Sequence, residues 1–322
     1  MIKFIIRRSL VMIPQLFLLS LIIFFLASAM PGDAVTGAFQ NNPNASPEQV
    51  EKIREKFGLN DPWYVQYGRW IGKAAQGDFG MSYTHKQPVT TLLQDRLGNT
   101  LLLAGVTLLV TYIIAIPLGI IAGRWQDSWA DKLIVTYNYI SFATPMFVFA
   151  LLMLFIFSFQ LGWFPIGGSV DIRAEAGTWE YYVSKAQHLF LPVMSGALLM
   201  TYSTIQYLRN DIIDTKFKDF VKTARAKGVP ENRVYTRHIL RNSLLPIASF
   251  LGYEITGLIG GSIFIETIFS YPGLGQLFLD SIMLRDFQVV TALVMISGAA
   301  VIVGTMLSDI ILSIVDPRIR ID

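Results

Sequence analysis

Three acids fall where the chain is otherwise apolar. Glu254 lies in the middle of the run Leu244 to Phe269, Glu266 lies near the end of that run, and Asp309 lies near the end of Val289 to Val315. An ionised carboxylate at mid-membrane depth costs on the order of 3 kcal/mol even on insertion-based scales. Glu254 must therefore face a bundle interior or a wet cavity, or carry a proton. Two roles fit it: a residue of a translocation path or proton relay, or an interhelical hydrogen bond that fixes packing. Packing is the expected role for Asp309. Other chemistry is poorly supported. His85, His188 and His238 are far apart, no H-E-x-x-H helix occurs, and the chain has no cysteine, so no metal site is expected. There is no glycine loop ending in Lys-Ser or Lys-Thr, and Gly273-Leu274-Gly275 follows Tyr271-Pro272 in a turn rather than a strand. No serine sits in a G-x-S-x-G elbow, which disfavours a membrane-bound hydrolase.

A second constellation is mechanical rather than chemical. From Asp219 to Arg233, between two apolar runs, helical spacing puts Phe217, Phe220, Val221 and Ala224 on one face and Lys218, Lys222 and Arg225 on the other. Gly228, after Lys227, can take the left-handed cap position, and Pro230 prevents continuation. The spacing predicts a short, capped, basic amphipathic helix between two membrane spans. It could be a handle for a cytosolic partner, or it could lie on anionic headgroups.

The elements that position these residues are membrane spans. The 322-residue chain is 53% hydrophobic and 15% charged, with mean hydropathy +0.49. Six apolar runs are long enough to cross a bilayer: Leu10 to Met30, Thr100 to Gly123, Leu133 to Leu161, Leu189 to Leu208, Leu244 to Phe269, and Val289 to Val315. Pro117, Pro145 and Pro192 fall inside three of them, which a bundle can tolerate. Lys and Arg place both termini and the loop from Arg209 to Asn242 in the cytosol. Ala27-Ser28-Ala29 imitates a signal-peptide cleavage site, but the apolar stretch before it is longer than usual, so an uncleaved span is expected.

Residues 31–99 form an external segment. Ser46-Pro47-Glu48-Gln49 reads as a capping box leading to a helix that ends at Gly58. A second helix is expected from Asp61-Pro62, with Trp63, Tyr67, Trp70, Ile71 and Ala74 on one side. These faces must pack together or meet the bilayer interface. The segment is either a structural cap or a docking surface. Between the third and fourth spans, Gly162 to His188 is expected to form an interfacial turn with aromatic anchors.

Motifs along the whole chain resemble the permeases of ABC importers, in the branch that takes up dipeptides, oligopeptides and nickel. They include Met30-Pro31-Gly32-Asp33, Phe57-Gly58-Leu59-Asn60 before Gln66-Tyr67, Gly77-Asp78-Phe79-Gly80 and Arg96-Leu97-Gly98-Asn99-Thr100-Leu101. They continue with Thr223-Ala224-Arg225-Ala226-Lys227-Gly228, with His238 to Pro246, with Glu266 to Gly275, and with the closing Asp316-Pro317-Arg318-Ile319-Arg320. Their order and spacing are specific together. The broader importer loop, E-A-A-x(3)-G followed by I-x-L-P, is altered here to Lys222-Thr223-Ala224 with a longer stretch from Gly228 to Pro246, a departure that resembles the peptide branch.

The resemblance implies an all-α polytopic membrane protein with six transmembrane helices, a type I importer core and a small extracytoplasmic helical segment. It divides the chain into a first span (1–30), the external segment (31–99), a five-helix core (100–315) containing a coupling loop (209–243), and a cytosolic tail (316–322). The chain would be one permease subunit of a binding-protein-dependent peptide importer in a bacterial or archaeal cytoplasmic membrane. A homologous permease, two ATPase subunits and an extracytoplasmic binding protein would be its partners, with lipid around it and no nucleic acid. ATP and Mg would be bound by the ATPases, with no cofactor and no catalysis in this chain. Phe220, Val221, Ala224, Arg225, Lys227 and Gly228 would form the ATPase-coupling element, and Glu254 and Glu266 would line the path or the bundle interior. The competing class is a proton-coupled secondary transporter with Glu254 as carrier, although internal symmetry and broken helices around a midplane site are not evident in the sequence.

Overall fold

The computed structural model describes residues 2–29, 55, 60–82, 84–244, 247, 254 and 263–315. Regular structure among them is helical, apart from one isolated antiparallel bridge between Met81 and Pro88. Helix α1 is Ile2–Ala29, α2 Trp63–Ala74 and α3 Val89–Arg124. Helix α4 is Trp129–Ala143, and α5 is Met146–Met153, continued by a wider π-helical stretch, Leu154–Gln160. Helix α6 is Trp179–Thr215 and α7 Asp219–Ala226. Helix α8 is Glu231–Arg233 running on through the π-helical Val234–Leu240 to Arg241–Ser243. Helices α9 Ile263–Ile268, α10 Leu274–Met283 and α11 Phe287–Val315 follow. Below, the end of the bundle that holds α7 is called the lower end.

Helices α3, α6 and the stretch 287–306 of α11 are long and apolar enough to cross a membrane. Helix α1, with 28 residues, is about 42 Å long at 1.5 Å per residue. Two expected boundaries move. Helix α3 starts at Val89 rather than Thr100, and α6 at Trp179 rather than Leu189, because polar first turns extend helices beyond the hydrocarbon. Thr178 caps α6 by accepting a hydrogen bond from the Tyr181 backbone N–H at 3.2 Å, so the expected turn to His188 is irregular only as far as Thr178. The middle of the fifth expected span, the capping box at Ser46 and the tail 316–322 lie outside the described residues.

The run Leu133 to Leu161 is not one straight helix. Helices α4 and α5 meet at 101° across Thr144-Pro145. Thr144 is extended (φ −86°, ψ 118°), as steric clash with a following proline ring demands, and Pro145 opens the next helix. Pro117 and Pro192, by contrast, stay within the continuous helices α3 and α6.

The central contact is between α3 and α6. A Cβ added at Gly123 would come within 2.8 Å of Ile212 Cβ, and one at Gly119 within 3.0 Å of Leu208 Cβ. On the other side, a Cβ at Gly196 would meet Thr107 Cγ2 and Ile265 Cδ1 at 2.9 Å. These small residues let the backbones approach, which in lipid replaces the hydrophobic drive for association. Helix α1 lies along α11, with Leu19 against Gly298. The aromatic face of α2 packs on α1: Tyr67 is buried, lies edge-on to Phe24 at 5.4 Å between ring centroids, and shares a 2.7 Å hydrogen bond with the Ser20 hydroxyl.

Candidate coupling site and polar interior

Helix α7 forms where the spacing predicts a helix but begins only at Asp219, so Phe217 lies in the turn before it and Lys218 at its N-cap; its other end is fixed by a Schellman motif. Gly228 is left-handed (φ 74°), its N–H donates to Arg225 O at 2.9 Å, and the Val229 N–H donates to Ala224 O at 3.2 Å. Lys227 closes the helix, with its N–H on Thr223 O at 3.1 Å. The orientation of α7 corrects the sequence reading. Val221 (0% exposed) and Ala224 (7% exposed) point into the chain's own core, among Leu208, Ile212, Val234, Tyr235 and Ile239. Phe217 and Phe220 are 69% and 41% exposed. The apolar positions therefore divide: Val221 and Ala224 seat the helix, and the two phenylalanines remain available outside it. The physical reason is that a helix tethered at both ends by short connections must bury one stripe against its own bundle before it can offer another.

The basic face is also less free than expected. Lys222 pairs with Asp219 at 2.9 Å. Arg225 holds Glu231 with two hydrogen bonds, at 2.6 and 3.0 Å, and this guanidinium keeps the Glu231 carboxyl below the usual carboxylate range. A helix built to lie on anionic headgroups needs unpaired cations, and two of its three are engaged.

The lower end is tied together by charge. Arg209 on α6 grips Asp131 on α4 in a bidentate pair at 2.7 and 2.8 Å, and Asp131 also accepts from the Asp127 N–H at 2.8 Å. Lys216 donates to Gly123 O at 2.6 Å and Arg124 O at 3.1 Å, satisfying the carboxyl end of α3. Burial, and then the nearby charge of Arg225, pull this lysine below its ordinary pKa. The Arg124 guanidinium stacks over Tyr235 at 4.6 Å and donates to Asn232 at 3.2 Å. Helices α3, α4, α6, α7 and α8 thus meet in one fastened unit.

The two interior acids have different surroundings. Glu254 accepts a 2.5 Å hydrogen bond from the Tyr112 hydroxyl of α3. Tyr112 belongs to the same apolar cluster that receives Val221 and Ala224, so the cluster runs from α7 to this carboxylate. Glu266 is fully buried. One carboxylate oxygen accepts from Thr100 at 3.1 Å and the other from the Gln276 N–H at 2.9 Å. Thr100 Oγ1 in turn accepts from the Leu274 N–H at 2.7 Å. The carboxylate therefore caps the first turn of α10, where helix dipole and free N–H groups favour an anion. The space for it is left by Gly273, where a Cβ would overlap the carboxyl group. Its surroundings are those of the bundle interior, and its partners are structural.

Sequence reasoning missed three features. Gly119 and Gly123 form a G-x-x-x-G pattern that was legible in the second apolar run. The Arg209–Asp131 pair joins distant residues with no local signal. Asp286 is buried and accepts from the Ser82 hydroxyl at 2.5 Å and from the Thr84 N–H at 3.2 Å, tying the loop before α3 to the turn before α11.

Residues 115–321 match the family model described as binding-protein-dependent transport system inner membrane component, and residues 1–104 match the corresponding N-terminal model. The chain is 41% identical over 321 residues to the oligopeptide transport system permease protein AppB of Bacillus subtilis (strain 168), covering 99% of this chain and 100% of that one. It is 32% identical over 320 residues to the glutathione transport system permease protein GsiC of Escherichia coli (strain K12), covering 99% of each. Among solved structures, an inward-facing form of the MetNI methionine ABC transporter superposes with a TM-score of 0.51 at 14% identity, covering 70% of this chain and 96% of that one. A second crystal form of that transporter gives 0.53 at 15% identity. These last two likenesses establish the fold.

Proposed function

We propose how this chain works, given that it belongs to the family of inner-membrane components of binding-protein-dependent transport systems: it is the permease subunit of an ABC importer that moves peptides, and α7 is the element that couples it to ATP hydrolysis. ATPase and substrate-binding partners follow from the family. The finer assembly is our reading: a homologous permease completes the path, two ATPases lie at the lower, cytosolic end, each bearing ATP and Mg, and the binding protein delivers cargo at the opposite face. Both termini are then cytosolic. The chain converts motion and performs no chemistry of its own.

The observation that carries this reading is the division of α7. Its buried stripe joins it to α3, α6 and α8, and its exposed Phe220, with Phe217 in the turn before it, offers apolar contact to a partner. A push on those rings is transmitted through Val221 and Ala224 to a cluster that ends at Tyr112 and Glu254. Rigid-body alternation of the bundle needs such a packed handle, because packed cores move as units. Peptide cargo is supported by the full-length likeness to an oligopeptide permease, with a glutathione permease in second place. The test is co-purification of the ATPase and cargo-stimulated hydrolysis in Phe217→Ala/Phe220→Ala. Loss of either with normal membrane insertion supports coupling through α7; normal assembly and normal stimulation refute it.

A further inference from the structure

The faces that the described helices leave uncovered are not alike. On α1 the uncovered positions are mostly apolar, including Leu10, Ile13, Phe17 and Phe25, with Gln15 and Ser28 as polar exceptions. In the apolar run of α3, from Thr100, they are Leu101, Leu109, Ile113 and Pro117. These faces suit lipid. On the lower half of α6 the exposed stripe runs Met200, Tyr207, Asn210 at helical spacing, with Ser203 and Gln206 half-buried beside it and the Ser203 hydroxyl donating to Met200 O at 3.4 Å. The opposite face, Thr204, Ile205, Leu208 and Ile212, is buried against the bundle. Ser203, Gln206 and Tyr207 fall inside the apolar run that ends at Leu208.

The amides on this face are arranged in sequence. Asn138 of α4, itself buried, donates to Gln206 Oε1 at 3.2 Å and to Tyr202 O at 3.2 Å. Gln206 Nε2 donates to Asn210 Oδ1 at 3.3 Å. The ladder leads from the α4–α6 contact out to the uncovered stripe. Each carboxamide has two donors and two acceptor lone pairs, and the ladder uses only part of that capacity. In hydrocarbon the remainder would go unpaired at a cost of kilocalories per group. Water or a polar solute satisfies it.

We propose that this face of α6 is a wetted wall of the translocation path, where Ser203, Tyr207 and Asn210 present neutral hydroxyl and amide groups to the backbone of a passing peptide. The inference rests on the importer reading above and adds the residues that touch cargo. Neutral donors and acceptors match peptide amides and carbonyls without selecting side-chain charge.

The chain has no native cysteine, so single cysteines report water directly. Ser203→Cys, Tyr207→Cys and Asn210→Cys are compared with Ile113→Cys in membranes that contain the whole transporter and are opened on both sides. The probe is a charged, membrane-impermeant methanethiosulfonate. A thiol must ionise to react, and a lipid-facing site keeps it protonated, so the rate falls in proportion to the thiolate that is lost. We expect the three α6 cysteines to react at least about tenfold faster than Ile113→Cys, the difference that a single pH unit of thiol acidity produces. Ser203→Cys is nearly isosteric and keeps the test valid if a larger replacement disturbs folding. Rates equal to Ile113→Cys would place the face in lipid and overturn the proposal. Slow rates combined with crosslinking to the second permease would overturn it in favour of a subunit contact. Fast rates in a transporter whose ATPase fails to associate through α7 would sustain the wall and sink the coupling reading instead.

Discussion

Substitutions on the two faces of α7 should separate stability from assembly. Val221 is fully buried, and Val221→Ala removes two methyl groups. At about 0.8 kcal/mol per buried carbon, plus a cavity term, the loss is roughly 2 kcal/mol. Phe220 is less than two-thirds buried and Phe217 is mostly exposed, so Phe→Ala at either costs the isolated chain less than about 1 kcal/mol. At an interface the same truncations remove aromatic anchors, and a loss of about 1.4 kcal/mol or more is a tenfold or greater weakening. The assay has two arms on one set of purified variants: the thermal unfolding midpoint of the permease, and the concentration of ATPase needed for half-saturation. Val221→Ala should lower the midpoint by several degrees and shift affinity little. Phe217→Ala/Phe220→Ala should do the reverse. The reasoning fails if Val221→Ala releases the ATPase at an unchanged midpoint while the double phenylalanine variant binds normally. Ala224→Asp is not a clean test, because its carboxylate would enter the chain's own core at a cost of several kcal/mol and unseat the helix.

Other substitutions test the fold that carries α7. Arg209→Met leaves the almost wholly buried Asp131 carboxylate unpaired and should cost about 3–5 kcal/mol, with Asp131→Asn in the same chain recovering part of it in a double-mutant cycle. Gly123→Ala sets a methyl against Ile212 Cβ and should destabilise by about 1–3 kcal/mol, read as a lower unfolding midpoint, and Ile212→Ala in that background should recover only part of it, because the Ile212 Cβ remains. Gly228→Ala meets no neighbouring atom, so only its left-handed backbone counts; the expected loss is about 1–2 kcal/mol, and Gly228→Asn should cost less. Tyr67→Phe removes the hydrogen bond to Ser20 and should cost about 1 kcal/mol, detected as faster proteolysis of the loop after α2.

Much of this architecture was legible because lipid enforces it. A helix must satisfy its own backbone in hydrocarbon, so runs of apolar residues announce spans whatever their neighbours are. Gly228 was legible because a left-handed cap is a local requirement, decided within six residues. The 101° break at Thr144-Pro145 was not distinguishable from the unbroken passages at Pro117 and Pro192. A proline removes the same donor in each case, and the surroundings decide whether the helix continues. Arg209–Asp131 was illegible for a related reason: the partners are separated by 78 residues, and either could have faced water.

The division of α7 shows where periodicity stops being informative. A helical wheel puts Phe217, Phe220, Val221 and Ala224 on one arc and treats it as one surface, but the helix begins at Asp219 and leaves Phe217 in the turn before it. A short helix held between a span and a second helix cannot expose the whole arc, because the tether itself needs a contact to fix its angle. The smaller side chains, Val221 and Ala224, allow close approach to Leu208 and Ile212 on the span, and the aromatic rings are turned outward by exclusion. That arrangement suits a transmitting element. Small residues give a stiff joint because little side-chain freedom remains to absorb a displacement, whereas large rings at the outer edge give a partner groove something to grip. The same logic separates the two buried acids. Glu266 is fixed by hydrogen bonds from two elements, α3 and α10, in a space left by Gly273. Glu254 meets the Tyr112 hydroxyl at the far side of the cluster that α7 enters. Tyr112 and its contact to Glu254 therefore lie at the cluster that receives α7, whereas Glu266 is held apart from it by α3 and α10.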